Sequence, residues 1–500
     1  MAPTLPVAGP VSIALMGVTL VTLSIIGTII YRLFLHPLRW VPGPILWRIS
    51  TIPRTYYLMK GNLPFKVAEI QFKYGPVIRI APNELVYCDP QAWKDIYGHK
   101  TNGAPDFLKD PKTYRAISHL PTSLINADRD EHAIIRRQLS HGFSDKVMRE
   151  QEPIIGAYVD LMIKRIYENS KNGAVPLNMR EWYNWTTFDV IGDLGFGSSF
   201  GCLQDSAYHP WVHLITHALK ETAAFEALVH LGFKPVIQWL YKSGLMYKNG
   251  DHMSLVKEKV QQRMQLGVER PDLIEGLLKK KNEWHMGLDK LAANASLLII
   301  AGSETTATLL CGASFLLTTN PDKLEKLTKE VRSAFQSEDE ITLTSVNKLH
   351  YMLAVLDESF RRYPPVTASL PRIVPKGGAP ILGKHVAEGT TVSVWQWTIN
   401  HHPDFWKDPM TFAPERWMDD PAYKGDRLDA MQPFSVGPRN CIGRNLAYAE
   451  MRLILAKIIY NFDMSISEDS RNWLRDQKTY VLWDKPSLNI YMTPVARKSG

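Results

Sequence analysis

Cysteine is scarce in this chain of 500 residues: Cys88, Cys202, Cys311 and Cys441 are its only four, scattered without paired spacing. That excludes a disulfide framework and a zinc knuckle, and it fits a reducing compartment. Acidic residues are missing from the N-terminal end, where none precedes Glu69, and no charge of either sign interrupts Val11 to Ile30. No internal repeat or low-complexity tract is present. No basic run interleaved with aromatics resembles a nucleic-acid module, so the formal net charge of +8 is assigned to contacts with a membrane and with a protein partner. Hydrophobic content of 45% and charged content of 22% are ordinary for a globular chain. The length alone exceeds the usual single core of ~250 to 300 residues and implies two or more domains.

The uncharged stretch from Val11 to Ile30, as a helix rising ~1.5 Å per residue, spans ~30 Å, the thickness of a bilayer core. It is read as a membrane-spanning segment. A cleavable signal peptide would want basic residues ahead of a shorter apolar core, and Met1 to Pro10 has none. Arg32, Arg39, Arg48, Arg54 and Lys60 follow, which places the bulk of the chain in the cytoplasm and the N-terminus across the membrane. Trp40-Val41-Pro42-Gly43-Pro44 then reads as a stiff, non-helical connector.

Pro76 to Tyr87 alternates apolar residues around a turn and predicts a small β-hairpin; most other patterns are helical, so the fold class is mainly α with small β-sheets. Phe225 to Lys248 mixes large apolar residues with Lys234, Lys242 and Lys248, and suits either a membrane interface or buried core. Leu291 to Leu317 is long enough for a second span. Asn294, Ser296 and Ser303-Glu304-Thr305-Thr306 would be costly in lipid, so this run reads as the central helix of a large domain.

The chemistry gathers at Phe434-Ser435-Val436-Gly437-Pro438-Arg439-Asn440-Cys441-Ile442-Gly443, just before an apolar helical pattern over Leu446 to Ile459. A thiol at a helix N-terminus with an arginine close by has its thiolate favoured, which suits a soft anionic metal ligand. Gly437 can take a backbone conformation closed to other residues, and Gly443 lets a helix approach a flat ligand. On its own, Cys441 is as well read as a small buried hydrophobe. The spacing Phe-x-x-Gly-x-Arg-x-Cys-x-Gly, however, resembles the haem-binding loop of the cytochrome P450 superfamily, the haem-thiolate monooxygenases.

Further stretches carry the same resemblance in the same order. Ala301-Gly302-Ser303-Glu304-Thr305-Thr306 is similar to the family's distal-helix motif, in which Thr305 would hydrogen-bond dioxygen at the site, Glu304 would help bring protons in, and Gly302 would leave room for dioxygen. The plainer alternative is that Thr305 bonds back to its own helix and that Glu304 is solvated or paired. Glu358 and Arg361 lie three apart on one helical face, and Pro414-Glu415-Arg416-Trp417 would bring Arg416 to them in a buried network beneath the haem. Leu370-Pro371-Arg372 resembles the strand that lines the pocket, with Arg372 and Arg439 as donors to haem carboxylates. His132 and Arg136, four apart on a helical pattern, stand where the family usually places a Trp and an Arg that reach a propionate; a solvated basic face is the alternative.

The resemblance implies one large haem-binding catalytic domain over residues 51–500, behind an anchor (1–35) and a proline-rich hinge (36–50). It implies haem b (iron protoporphyrin IX), with Cys441 as the axial iron ligand and Phe434, Gly443, Arg439, Arg372, Arg136 and His132 as cofactor-binding residues. It also implies a lipophilic small-molecule substrate, such as a polyketide or terpenoid intermediate of fungal secondary metabolism, and a chain that resembles most the group containing trichothecene hydroxylases. No nicotinamide or flavin fingerprint is evident, so electrons would come from NADPH through a separate NADPH-cytochrome P450 reductase, with cytochrome b5 as a second donor. Arg439, Arg444, Arg452 and Lys457, with Arg137, would present the basic face for that flavoprotein. The location implied is the endoplasmic reticulum membrane, crossed once. Two other readings stay open: a haem-thiolate isomerase or dehydratase that does not activate dioxygen, and a membrane haem sensor or carrier using His132 or His119 as ligand.

Overall fold

The computed structural model describes residues 10–496 apart from 102, 116–120, 244–249, 268–269, 271, 280–282, 285, 369, 476 and 481; His119 and the last residues of the 225–248 stretch lie outside that set. Helix α1 (Pro10–Ile30) buries none of its residues, and with the turn through Leu35 it is apolar and long enough to cross a membrane. Trp40 to Pro44 is non-helical, as expected of the connector; a short helix follows at Ile45–Ile49, and the 36–50 stretch is fastened to the domain. Leu38 and Val41 are buried, the Arg79 N–H donates to Pro42 O at 2.9 Å, and Gly43 passes so close to Arg79 O that a Cβ there would clash.

Next come α2 (Ile52–Met59), α3 (Leu63–Tyr74), and the expected hairpin of β1 (Val77–Ala81) and β2 (Glu84–Tyr87). They are followed by α4 (Pro90–Tyr97), β3 (Leu108–Lys109), α5 (Arg129–Gly142), α6 (Asp145–Ser170), α7 (Met179–Phe196), α8 (Pro210–His230) and α9 (Lys234–Lys242). The site is completed by α10 (Leu288–Thr318), α11 (His350–Arg362), β4 (Arg372–Ile373), β5 (Thr391–Val394), α12 (Arg444–Asn461) and the hairpin of β6 (Lys478–Thr479) and β7 (Trp483–Asp484). One mixed sheet runs β1-β2-β5-β4-β3, with β2 and β5 parallel. The rest is mainly helical.

Helix α10 is the axle of the molecule. It is apolar on every side, and most of its residues are buried, as a helix at the centre of a large core should be. Gly302 also serves packing: a Cβ there would lie 2.8 Å from Ile191 Cδ1, so its missing side chain lets α7 pack against α10. A second apolar cluster is separate from this core. It joins Trp47, Leu58, Val67, Ile78 and Val86 to Ala223 and Ala227 of α8, so the N-terminal layer holds α8. Beside that junction Ile45, Leu46, Ile52 and Tyr56, and Leu228, Phe233, Val236 and Trp239, stay exposed.

Candidate functional site

The cysteine loop is held by its backbone. Gly437 has φ +77° and presses against the Tyr97 carbonyl so closely that no side chain fits, and the Cys441 N–H donates to Phe434 O at 2.9 Å. The Phe434 ring packs on Phe360 and Tyr448, with centroids 5.1 and 5.3 Å away. Among the four thiols, Cys88, Cys202 and Cys311 are buried and Cys441 alone presents open surface. Protein nevertheless crowds around it, and that surrounding raises the Cys441 thiol above the usual cysteine range, opposed by the Gly443 backbone, Arg136 and Arg444. An open surface inside crowding walls is the environment of a cleft floor. Arg439, expected beside the thiol, lies away from it and donates to Ala127 O at 3.1 Å. A Cβ on Gly443 would sit in ordinary contact, 3.7 Å from Phe143.

Beneath the loop, Glu358, Arg361 and Arg416 come together as a fully buried ion network. Arg361 clasps both Glu358 oxygens at 2.9 and 2.7 Å, and its remaining N–H groups donate to Asn400, Pro409 and Thr411 carbonyls. Arg416 reaches Oε1 at 3.3 Å and also pairs with Asp426. The Trp417 indole N–H donates to Oε2 at 3.1 Å, a bond that phenylalanine could not make, and the Ala413 N–H adds one to Oε1 at 3.0 Å. Trp417 and Asp426 are members that the sequence did not reveal. Every acceptor on Glu358 is used, the condition under which a buried charge is tolerated.

On another wall of the cleft, cations gather with few carboxylates to answer them. Lys109 and Arg372 are cross-strand partners. Burial, with Arg372 and Arg439, pushes Lys109 down to about 6; burial, with Arg439, Lys109, Arg136 and Arg372, pushes His132 down to about 3. Burial and Arg372 lower Arg439 as well, partly offset by Asp106 and Asp128. Arg372 lies over the Tyr97 ring at 5.1 Å, donates to the nearby Leu370 and Pro371 carbonyls and meets the Tyr114 hydroxyl. Such crowding is a cost that two bound carboxylates would remove, so these residues fit a dianionic porphyrin above a thiolate ligand. Lys109 was not legible as a member. Arg136 braces the cysteine loop: its guanidinium grips the carbonyl of Asn440 at 2.7 Å and the side chain of the same residue.

The middle of α10 has open surface of its own. Ala301 is exposed and Gly302 and Thr305 are partly open, although neighbouring turns are buried. Thr305 Oγ1 donates back to Ala301 O at 2.7 Å, the local bond that mid-helix threonines favour. Glu304 is buried, and Lys485 Nζ holds its Oε1 at 2.7 Å. Its Oε2 has no hydrogen-bond partner among the described residues. The expected basic docking face is smaller than the sequence implied. Lys457 is buried and paired with Asp160, Arg452 donates to Asn347, and Arg444 remains exposed.

The family pattern described as Cytochrome P450 matches residues 38–492. Cytochrome P450 monooxygenase tpeC of Talaromyces stipitatus is 46% identical over 97% of this chain and 96% of its own length. Trichothecene C-15 hydroxylase of Fusarium sporotrichioides is 43% identical over 94% of this chain and 96% of its own length. Averantin hydroxylase of Dothistroma septosporum is 42% identical over 97% of this chain and 92% of its own length.

Proposed function

The chain belongs to the cytochrome P450 family, and we propose that this monooxygenase hydroxylates a lipophilic polyketide or terpenoid intermediate of fungal secondary metabolism, using haem b and electrons from an NADPH-dependent reductase. The observation that carries the reading is the open Cys441 thiol at the floor of a cleft whose wall holds Lys109, His132, Arg372 and Arg439. Cys441 would ligate the iron, and Arg372 and Arg439 would hold the propionates. Bound there, the haem supplies the activation of dioxygen, aided by electron density from the thiolate. The chain's own residues do the rest. Phe434 packs beside the sulfur, Thr305 offers a hydroxyl to the oxygen side, and Glu304 exchanges protons there. The Glu358 network keeps the loop in place. Substrates related to those in the names of the averantin and trichothecene hydroxylases are the first to try.

The membrane placement rests on α1 and on the exposed apolar rim of Ile45, Leu46, Ile52, Phe233, Val236 and Trp239, a surface that an interface would cover. The arginines after α1 support a cytoplasmic domain behind a single-pass anchor, in this reading an anchor in the endoplasmic reticulum. Arg444 and Arg137, both exposed, are the cations of that face left to dock a reductase or cytochrome b5. The test is the reduced carbon monoxide difference spectrum of wild type and Cys441→Ala. A thiolate-type Soret band present in wild type and lost in the variant is the expected result. A histidine-type band in both would overturn the reading and move the iron toward His132.

A further inference from the structure

One partner of the distal helix comes from far along the chain. Trp483 and Asp484 close the β6–β7 hairpin, and the Trp483 indole pins that hairpin by donating to Pro364 O at 2.7 Å. Past the hairpin, consecutive side chains point to opposite faces, as in any extended segment. Asp484 turns outward to Lys220 of α8 at 2.8 Å. Lys485 turns inward, where its ammonium donates to Glu304 Oε1 and to Thr308 Oγ1, both at 2.7 Å. The Lys485 and Glu304 side chains are 2% and 6% exposed, and the Arg180 guanidinium fixes the backbone by donating to the Lys485 carbonyl.

A purely structural ion pair at this depth is stable when its remaining lone pairs are satisfied. Here one carboxylate oxygen is held and the other has no hydrogen-bond partner among the described residues, while Thr305, the next residue of the helix, is partly open. We propose that Lys485 is the positioning residue of Glu304: it clamps Oε1 and so leaves Oε2 free to exchange protons. Thr308 is the second anchor that keeps the ammonium in place when the carboxyl is neutralised.

The inference rests on the monooxygenase reading and is tested with the full-length haem-loaded enzyme, a reductase and a turned-over substrate. In K485M the product formed per NADPH consumed should fall about tenfold, short of the ~10² to 10⁴ typical of losing a whole general acid or base, with hydrogen peroxide rising in its place and KM changing less than about twofold. K485R should restore at least half of the coupling. E304Q/K485M should be no worse than E304Q alone, because the two residues act as one unit. A readout without turnover is the infrared carboxylate band abolished by E304Q, which should shift in K485M. The proposal is overturned if K485M couples as well as wild type, if K485R is as uncoupled as E304Q, or if that infrared band does not move. Should K485M fail to fold, K485R and E304Q/K485M decide in the same terms. Absence of thiolate-ligated haem would instead sink the monooxygenase reading, so the two failures are distinguishable.

Discussion

Glu358 and Glu304 are both buried glutamates with cationic partners, and they are built in opposite ways. Glu358 receives two guanidiniums, an indole N–H and a backbone N–H. Glu304 receives one ammonium on one oxygen and nothing on the other among the described residues. A fully satisfied buried charge is locked, because any movement strands a desolvated group. A half-satisfied one carries its desolvation cost all the time and has an oxygen left to use. The contrast separates a carboxylate that holds the cysteine loop from one that can do chemistry.

The largest effect should come from breaking the locked side. Glu358→Gln strands two buried guanidiniums, and loss of one partner from such a network costs about 3 to 5 kcal/mol, a large part of a domain's net stability. Urea unfolding and the yield of haem-loaded protein measure it. Glu304→Gln strands one ammonium that Thr308 still holds, so its stability cost should be roughly half as large. Equal costs would break the comparison.

A third buried glutamate sharpens it from the other direction. Glu450 in α12 is buried and has no ion pair among the described residues, and burial alone pushes its carboxyl up to about 8. Its unfolded-state value is ~4.3, so between that and about 8 the unfolded chain has lost a proton that the folded chain keeps. Folding is therefore penalised increasingly as pH rises through this window, and the penalty is constant above it. Glu450→Gln should leave the melting temperature nearly unchanged at the acid end and raise it most at and above pH 8, by at most a few kcal/mol of stability. A gain independent of pH would show that the carboxyl is already satisfied. Trp417→Phe is a smaller cut into the locked network: it keeps the ring and removes one charge-assisted hydrogen bond, for about 1.5 to 3 kcal/mol. A loss under about 0.5 kcal/mol would mean that Glu358 is held by its arginines alone.

What the sequence made legible was whatever local spacing encodes. The Phe434–Gly443 loop, the Glu358–Arg361 pair three apart, the hairpin over 76–87 and the buried α10 are each one continuous stretch of chain, where periodicity and motif carry the information. Partners set by docking were invisible. Lys485 is 181 residues from Glu304, Lys109 meets Arg372 across a sheet, and Asp426 reaches Arg416 through a loop. Gly302 illustrates the middle case: its position in the motif was plain, but whether its missing side chain faced a ligand or a helix depended on where α7 lay. Lys457 failed for the same reason, since a lysine that looks solvated in sequence is buried once α12 packs on α6.

The finest test of the comparison lies within α10, between two threonines three residues apart. Thr305 is partly open, and its hydroxyl bonds only to Ala301 O in its own helix. Thr308 is buried and supports the Lys485 ammonium. Thr305→Ala removes no tertiary bond and creates no buried orphan, so its effect on stability should stay within ~0.5 kcal/mol. Thr308→Val keeps the shape but takes a partner from a buried cation, for about 1 to 3 kcal/mol. In turnover the order should reverse, with product per NADPH falling several-fold more in Thr305→Ala, because of the two only Thr305 has open surface from which a hydroxyl can serve a proton transfer. Thermal unfolding and coupling measured on the same two preparations check both halves. If Thr305→Ala proved the less stable and Thr308→Val the less coupled, the open and the locked sides of this helix would have been assigned the wrong way round.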